Sequence, residues 1–488
     1  MSSPLTSSLN VRILAGRLLT NRQSCLVSGL AGTGKSTLLK EMVKHLKTTE
    51  FKQNTHVVAP TAIAAISAKG MTVHTWLGLG LADKDVTSYL GRLHKYPVTT
   101  FNMTNTEYLV IDEISMIDPD MFVKIDIIAR HIRKRNEPFG GITLLMFGDF
   151  CQLKSIQKKD TDIKFVFQTS LWKKMDIYRM WLRKNYRQGE DKKYASLLNR
   201  IRKGKITLND IKLLRSKVVY KLNIEEIPLD VFGNVTITPP LLTTHKRNVK
   251  EYNIRKLKQL AEYNPIFTYT PTISNKQDEE SSISPEFNKY YDTLHERFPV
   301  FNLRICRNAQ IMMRCNMLIA SGIVNGTLGI IDRLTENSVY VRFMVDGVMM
   351  PAIRIKKYRF VLRINGGKIY MDQYPISLAY SCTIHKSQSI SLDSAVVDIS
   401  RCFTDSMVYV ALSRIRSLDG LIIKGMFDSR WFKSDKDALE FERDEQMFAL
   451  ISGCSRHIPQ PDNCEIHKAW MESNITDPHI FHLVHSYL

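Results

Sequence analysis

The sequence predicts an α/β protein with open parallel sheets, and three observations carry that expectation. Short apolar runs, Cys25–Ser28, His56–Ala59, Tyr108–Ile111 and Ile142–Phe147, alternate with helix-like segments. Continuous apolar runs of this length suit strands covered on both faces. Each run ends in glycine or polar residues, and open parallel sheets gather their ligands at the carboxyl ends of the strands. Third, the first run leads into Gly29-Leu30-Ala31-Gly32-Thr33-Gly34-Lys35-Ser36, which fits the phosphate-loop pattern G-x-x-x-x-G-K-[ST].

Taken in order, the elements justify this reading. The first 28 residues contain no acid and carry Arg12, Arg17 and Arg22 among serines, as a mitochondrial presequence would. The preferred alternative is a helix over Val11–Leu19 that packs beside the first strand. In the phosphate loop, Gly29, Gly32 and Gly34 let the backbone turn its N–H groups toward one point, and the helix begun by Thr37 adds partial positive charge there. Thr33 and Thr37 are expected among the nucleotide-binding residues as well. Lys35 reaches the β- and γ-phosphates, and the Ser36 hydroxyl suits Mg²⁺. A second strand ends at Pro60-Thr61, a helix over Ala62–Lys69 stops at Gly70, and Thr72, His74, Thr75 and Trp76 follow. Gly78 to about Thr106 reads as a small, weakly patterned insertion. Tyr108–Ile111 delivers Asp112-Glu113, and Ile142–Phe147 delivers Gly148-Asp149-Phe150-Cys151-Gln152.

A second set of elements is expected from near Met180. Arg183–Gln188 lead into a helix over Tyr194–Arg202 closed by Gly204. Leu241–Thr244 is another buried strand. Residues 263–300 are polar and read as a surface insertion. Gln310–Phe343, with Asn325-Gly326 and Asp346-Gly347 nearby, reads as a small all-β module, because such dipeptides favour hairpin turns. The α/β pattern returns with Ser377–Ser381, Ala395–Asp398 and Met407–Leu412.

Bulk properties narrow the class. A chain of 488 residues exceeds one core and suits roughly two to four domains. With 44% hydrophobic and 24% charged residues, most of it should be globular. The formal net charge of +20 favours a polyanionic partner, and nucleic acid comes before membrane, since no lipid-anchor signal is visible. No apolar run approaches the ~18 residues that span a bilayer. Eight scattered cysteines make no disulfide framework, so a reducing compartment is expected.

The candidate chemistry is nucleotide hydrolysis. Asp112 can bind Mg²⁺ through water, and Glu113 can orient and deprotonate the attacking water. Gln152, at another strand end, can sense the γ-phosphate; a surface amide is the alternative. Arg187 and Arg414 are candidates for a transition-state clamp, an effect worth ~10³-fold or more. The alternative for each is a structural ion pair. Both fall in the second half of the chain and would reach the phosphates across an inter-domain cleft. His385, Lys386, Ser387 and Gln388 follow a strand of the second unit, as Thr61, Thr72 and His74 follow strands of the first. Hydroxyls, imidazoles and a lysine suit sugar-phosphate contacts without base readout.

The order of these motifs resembles that of the Pif-type DNA helicases of superfamily one, relatives of RecD. Residues 29–36 resemble motif I, and Ala59-Pro60-Thr61-Ala62 through His74-Thr75 motif Ia. Asp112-Glu113 resembles motif II, Gly148–Leu153 motif III and Tyr186-Arg187-Gln188 motif IV. Gly322–Thr327 resembles part of the inserted 2B domain. Ile384–Gln388 and Tyr409–Arg416 resemble motifs V and VI. The resemblance implies two RecA-like P-loop motor domains with parallel sheets and a small all-β, SH3-like insertion. It implies ATP with Mg²⁺ between the motors, with Gln388 among the nucleotide-binding residues. It also implies single-stranded DNA across the top, held by Pro60, Thr61, Thr72, His74, His385, Lys386 and Ser387, and movement in the 5′-to-3′ direction. The expected division is 1–180 for the first motor (insertion about 78–106), 181–255 with 360–440 for the second, 256–359 for the insertion and 441–488 for a tail. Two departures stand out: Ser389 where the family has glycine, and Lys154-Ser155 where it has prolines. The adenine-reading glutamine is not obvious; Arg12 sits at about its distance, and Gln23 is too close.

The expected function is therefore an ATP-dependent DNA helicase in replication, repair, recombination or telomere maintenance. Its partners would be single-stranded and partly duplex DNA, with no membrane, and it would work as a monomeric motor. Nucleus or cytoplasm is the expected location ahead of the mitochondrion, and a virus-encoded protein would fit too. The rivals are an RNA helicase of the Upf type, whose Gln-Gly-Arg-Glu-Lys stretch is absent, and a nucleic-acid scaffold with a silent nucleotide site. In the tail, Cys454, His457, Cys464 and His467 have zinc-ligand chemistry, but the connection is short for a finger, and coincidence is favoured. Arg133-Lys134-Arg135 could be a nuclear signal; a solvated helix face is the favoured reading.

Overall fold

In the computed structural model the described residues are 10–443, without 12, 48–53, 79–84, 156–162, 220–235, 275–301 and several gaps of one or two residues. Six strands make the first sheet: β1 (Ser24–Gly29), β2 (Thr55–Ala59), β3 (Met71–Thr72), β4 (Tyr108–Ile111), β5 (Thr143–Gly148) and β6 (Ile177–Leu182). Their order is β3-β2-β4-β5-β1-β6, and every pairing is parallel. The apolar runs are continuous because both faces are covered. Leu26, Leu109, Ile111, Leu144 and Met146 pack on one side with Trp76, Phe122 and Phe139. Alternate residues Cys25, Val27, Val110, Leu145 and Phe147 pack on the other. There they meet Leu38, Leu39 and Met42 of the helix α1 (Lys35–Lys47), together with Leu14 and Leu18. The amino-terminal segment thus packs beside β1 as the helical reading expected.

Three local features add detail to the first unit. The helix Ala62–Ser67 ends two residues before Lys69, which takes the left-handed φ of 55°, and the Gly70 N–H donates back to the Ala65 carbonyl at 2.8 Å. Glycine is needed at 70 for close approach, since a Cβ there would lie 2.3 Å from the Val57 carbonyl oxygen. The weakly patterned insertion is helical where described, with helices Val86–Leu90 and Pro97–Asn105. Its pattern is faint because Tyr89 and Met103 are among the few side chains these helices give to the core. Arg133 belongs to no solvated face. It donates to the carbonyls of Gly140 (2.6 Å), Met103 (2.9 Å), Thr104 (3.0 Å) and Thr106 (2.9 Å), closing the end of the second of these helices.

The second sheet is also parallel, with strands in the order Ser381–Thr383, Leu241–Thr243, Ala395–Asp398, Leu421–Lys424 and Val218–Val219. The helix Lys192–Arg202 buries Tyr194, Leu197, Leu198 and Ile201 against it, and Gly204 takes φ 65° beyond its end. Between the parallel units, residues 303–378 fold mainly as antiparallel strands, including Gln310–Met313, Leu328–Thr335, Ser338–Val345 and Ile376–Leu378. Gly347, at φ 79°, lies in a two-residue turn, with Val345 paired to Val348. Asn325-Gly326 instead lies in the long connection between Met313 and Leu328.

Two expected boundaries shift. β6 pairs with β1 through Leu182, so Met180 sits inside the first sheet. Arg179 and Trp181 break its apolar run, which hid it as a strand. The run Ser377–Ser381 is divided: Ile376–Leu378 closes the antiparallel module, and only Ser381–Thr383 joins the second parallel sheet. The hairpin Tyr358–Ile364 with Gly367–Gln373 is likewise antiparallel. The expectations for Arg12, Ser389 and the Cys/His tail, and most of the polar insertion 263–300, fall outside the described residues.

Candidate nucleotide and nucleic-acid site

An open cleft of about 1450 Å³ lies at the carboxyl ends of β1, β4 and β5. Gly32, Thr33, Gly34, Lys35, Ser36 and Thr37 line it from the first unit, with Glu113 and Gln152. Arg187, Ser391, Arg414 and Arg416 line it from the second. The phosphate loop curls through Gly32 (φ 82°) and Gly34 (φ 87°), conformations that other residues adopt only with strain. Gly32 has a second reason to lack a side chain. A Cβ there would lie 2.6 Å from Cβ of Arg187, because the segment Asn185–Arg187 crosses directly over the loop. The Tyr186 N–H donates to the Gly32 carbonyl at 2.8 Å, and the Ala31 N–H donates to the Tyr409 hydroxyl at 3.2 Å.

Lys35 is half-buried on the cleft wall. Its ammonium donates to the carbonyls of Gly29 (2.6 Å) and Leu30 (2.9 Å). Burial holds its pKa below the usual lysine range, against the pull of Asp149 and Glu113. Asp112 is buried behind Glu113, whose N–H donates to the Asp112 carboxylate at 3.0 Å. Burial, and then Glu113 beside it, push the Asp112 carboxyl upward. Glu113 takes a left-handed φ of 53°, which turns the chain at the end of β4. Ser36 and Glu113 line the same cleft, and Asp112 is buried beside Glu113 in the chain; hydroxyl and carboxylate oxygens are the hard donors that suit a divalent cation such as Mg²⁺.

Among the described residues the hydrogen-bond partners of the two arginines are neutral. Arg187 donates through Nε to Ser391 Oγ (2.8 Å) and through Nη1 to the Ser413 carbonyl (3.0 Å). Arg414 donates to the Val410 carbonyl (2.9 Å) and to Ser413 Oγ (2.8 Å). Among the described residues neither forms an ion pair. Burial, then Arg414, push the Arg187 guanidinium down to about 9. The structural ion-pair alternative therefore finds no support, and two cations facing phosphate-loop N–H groups suit a polyanion.

Reasoning from sequence missed a buried network behind this wall. Gln152 Nε2 donates to Asp149 Oδ2 at 3.0 Å, and Asp149 pairs with Arg202 at 2.6 Å. Arg202 also pairs with Glu442 of the segment 436–443. All three are nearly inaccessible. That segment packs on the first unit through Phe441, stacked on Phe167 with ring centroids 4.1 Å apart. Asp149 follows an apolar strand as Asp112 does, so the same strand-end signal marks it. Nothing in the sequence marks Arg202.

The remaining expected residues divide. Gln388 does not line the cleft. It is buried beyond the turn His385–Ser387, a place its motif spacing does not disclose. Pro60 and Thr61 lie at the end of β2, and Thr72 and His74 at the end of β3. The hydroxyls of Thr61 and Thr72 accept from the N–H groups of Ala64 and Thr75, both at 3.2 Å, so they also cap helices. His385 and Lys386 stand half-buried after the edge strand Ser381–Thr383, while Ser387 is buried and donates to the Ile384 carbonyl at 2.7 Å. Ser387 thus shapes the turn.

Residues 11–212 match the sequence profile of the PIF1-like helicases. The Xenopus laevis ATP-dependent DNA helicase PIF1 is 32% identical over 447 residues, covering 90% of this chain and 65% of that protein. A crystal structure of Bacteroides sp Pif1 in complex with ADP-AlF4 is 27% identical, with TM-score 0.69, covering 90% of this chain and 96% of that one. A structure of Bacteroides Pif1 bound to ssDNA is 26% identical, with TM-score 0.59, covering 92% and 98%. The chain spans 61% to 65% of the length of the vertebrate PIF1 helicases it matches.

Proposed function

The chain belongs to the PIF1-like helicase family, and from that premise we propose that it is an ATP-dependent DNA helicase moving 5′-to-3′ along a single strand. The observation that carries this reading is the shared cleft: Lys35 and Glu113 enter from one parallel unit, and Arg187 and Arg414, with no ion pair among the described residues, from the other. A site split in this way completes itself only when the two units close on a triphosphate.

The phosphate-loop N–H groups and Lys35 cradle the β- and γ-phosphates, and Lys35 exchanges its two carbonyl partners for phosphate oxygens. Ser36 and Asp112 would hold Mg²⁺, which neutralises charge that builds on the phosphates. Glu113 orients the attacking water and accepts its proton. Gln152, fixed by Asp149, reaches the cleft wall beside the γ-phosphate position. Arg187 and Arg414 stabilise the transition state and lose their anionic partner once phosphate leaves. Closure and opening thereby follow the nucleotide. At the same carboxyl edges, Pro60, Thr61, Thr72 and His74 on one unit and His385 and Lys386 on the other grip the strand alternately. The Bacteroides relatives solved with ADP-AlF4 and with ssDNA support a site for each ligand on this fold.

Unwinding of a duplex with a 5′ single-stranded overhang should proceed with ATP, and that of the matching 3′-overhang duplex should not. Lys35→Ala should abolish unwinding on both. Unwinding of the 3′-overhang substrate would reverse the polarity, and unwinding that survives Lys35→Ala would end the motor reading. Hydrolysis stimulated by RNA but not by DNA would favour the Upf-type alternative.

A further inference from the structure

Arg314 is a buried cation with no anion paired to it among the described residues. It follows the strand Gln310–Met313 of the antiparallel module and is only 9% exposed. Its N–H donates to the Pro375 carbonyl at 2.7 Å, which pins it at the module's rim. The hydrogen bond its guanidinium makes is to the thioether of Met312, at 3.5 Å, a weak acceptor. Among the described residues no carboxylate pairs with it. An enclosed charge of this kind is strongly unfavourable unless an opposite charge meets it.

Two further elements bring positive charge to the same place. Met313 pairs with Ile376, so Arg314 lies beside the stretch that runs through Ser381–Thr383 into the turn His385–Ser387. The helix Lys246–Ala261 is clamped to that strand: the Asn253 amide donates to the Ser381 carbonyl (3.0 Å) and accepts from the Ser381 N–H (2.9 Å). Lys246 opens this helix, whose free N–H groups add partial positive charge. Lys386 is held below the usual lysine range by burial and then by Arg314 and Lys246. Burial and then Lys246 lower His385 in the same way. Lys246 and Lys386 likewise have no ion-pair partner among the described residues.

We propose that Arg314, Lys386 and Lys246 together seat one phosphodiester group of a bound single strand, so that the antiparallel module, through Arg314, is part of the strand-gripping surface. The proposal rests on the helicase reading and adds to it a contact outside both parallel sheets. A strand phosphate supplies the missing anion to cations from three elements at once, and it does so at the carboxyl edge where Lys386 already stands.

The test uses the full chain, fluorescent deoxythymidine oligomers and anisotropy titrations at about 50 to 200 mM salt. Arg314→Met should weaken binding by about tenfold, as expected for a charge-assisted contact. It should also flatten the salt dependence by roughly 0.7 in log–log slope. Its melting temperature should not fall, because the variant removes an uncompensated charge. Neutral methylphosphonate linkages placed singly along the oligomer should weaken wild-type binding at one position, and that penalty should vanish in Arg314→Met. An unchanged slope overturns the proposal, as does a weaker variant whose melting temperature drops by several degrees. Inorganic phosphate that protects the site without displacing the oligomer would assign it to a free ion and overturn it too. Wild-type protein that fails to bind the oligomer would instead sink the helicase reading.

Discussion

Arg414→Ala should lower the DNA-stimulated ATPase kcat by about 10³-fold or more, with nucleotide affinity changed far less. The size follows from what the guanidinium meets. In the open cleft it is nearly inaccessible, and its partners are the Val410 carbonyl and Ser413 Oγ. Its hydrogen-bond partners are neutral and no carboxylate pairs with it directly among the described residues, so its free energy falls most when negative charge builds on the transferring phosphoryl group. Stabilisation confined to the transition state appears in kcat. Arg187→Ala should cost a similar factor, because Arg187 faces the same cleft and contacts the Ser413 carbonyl next to Arg414. The double variant should lose less than the product of the two factors, as residues acting on one charge are not independent. Arg414→Lys should recover little, since an ammonium cannot reproduce the fork that spans Val410 and Ser413. Steady-state phosphate release, with and without single-stranded DNA, measures all four variants. A loss under tenfold for Arg414→Ala would show that the second unit does not complete the site.

The parts of this architecture that were legible before the structure share a physical cause. Strands buried on both faces must be apolar throughout, so β1, β4 and β5 were visible as runs, and the residues ending them were visible as ligand groups. The phosphate loop was visible because its backbone path admits few residues besides glycine at 32 and 34. Edge elements were harder. β6 covers one flank of β1 with Arg179 and Trp181 in its sequence, so its period is blurred and the strand was not visible as an apolar run. The division of Ser377–Ser381 between an antiparallel and a parallel sheet depends on what lies beside each residue, which local pattern does not carry. Gln388, which motif order puts with the nucleotide, is buried just beyond the turn His385–Ser387. The Arg202 network was invisible for a related reason. Its members are separated by 53 and 240 residues, and a charged residue at the end of a helix ordinarily reads as solvated.

That network leads to the second large effect: Arg202→Met should destabilise the protein by about 3–5 kcal/mol, the usual cost of removing one partner from a buried ion pair. The methionine fills the space but leaves Asp149 and Glu442 enclosed and unpaired, and Cys151, which donates to Glu442 at 3.2 Å, cannot replace a cation. The sign of the pH dependence follows from Asp149. Burial pushes its carboxyl up, but Arg202 and then Lys35 more than offset this and hold it below the usual carboxylate range. A depressed carboxyl contributes stability that is complete above the unfolded value of about 4 and is lost as pH falls through the folded value. The gap in denaturation midpoint between wild type and Arg202→Met should therefore be full at neutral pH and narrow below about pH 4. Function should suffer separately. Asp149 orients Gln152 at the cleft, so a loosened Asp149 should lower kcat even where the variant remains folded. The triple variant Asp149→Asn, Arg202→Met, Glu442→Gln removes every charge of the network. It should recover much of the lost stability, because replacing a whole buried network costs far less than breaking it, yet it should not recover kcat. If the triple variant regained both, Arg202 would be no more than a structural tie between the second unit, the first sheet and the segment carrying Glu442.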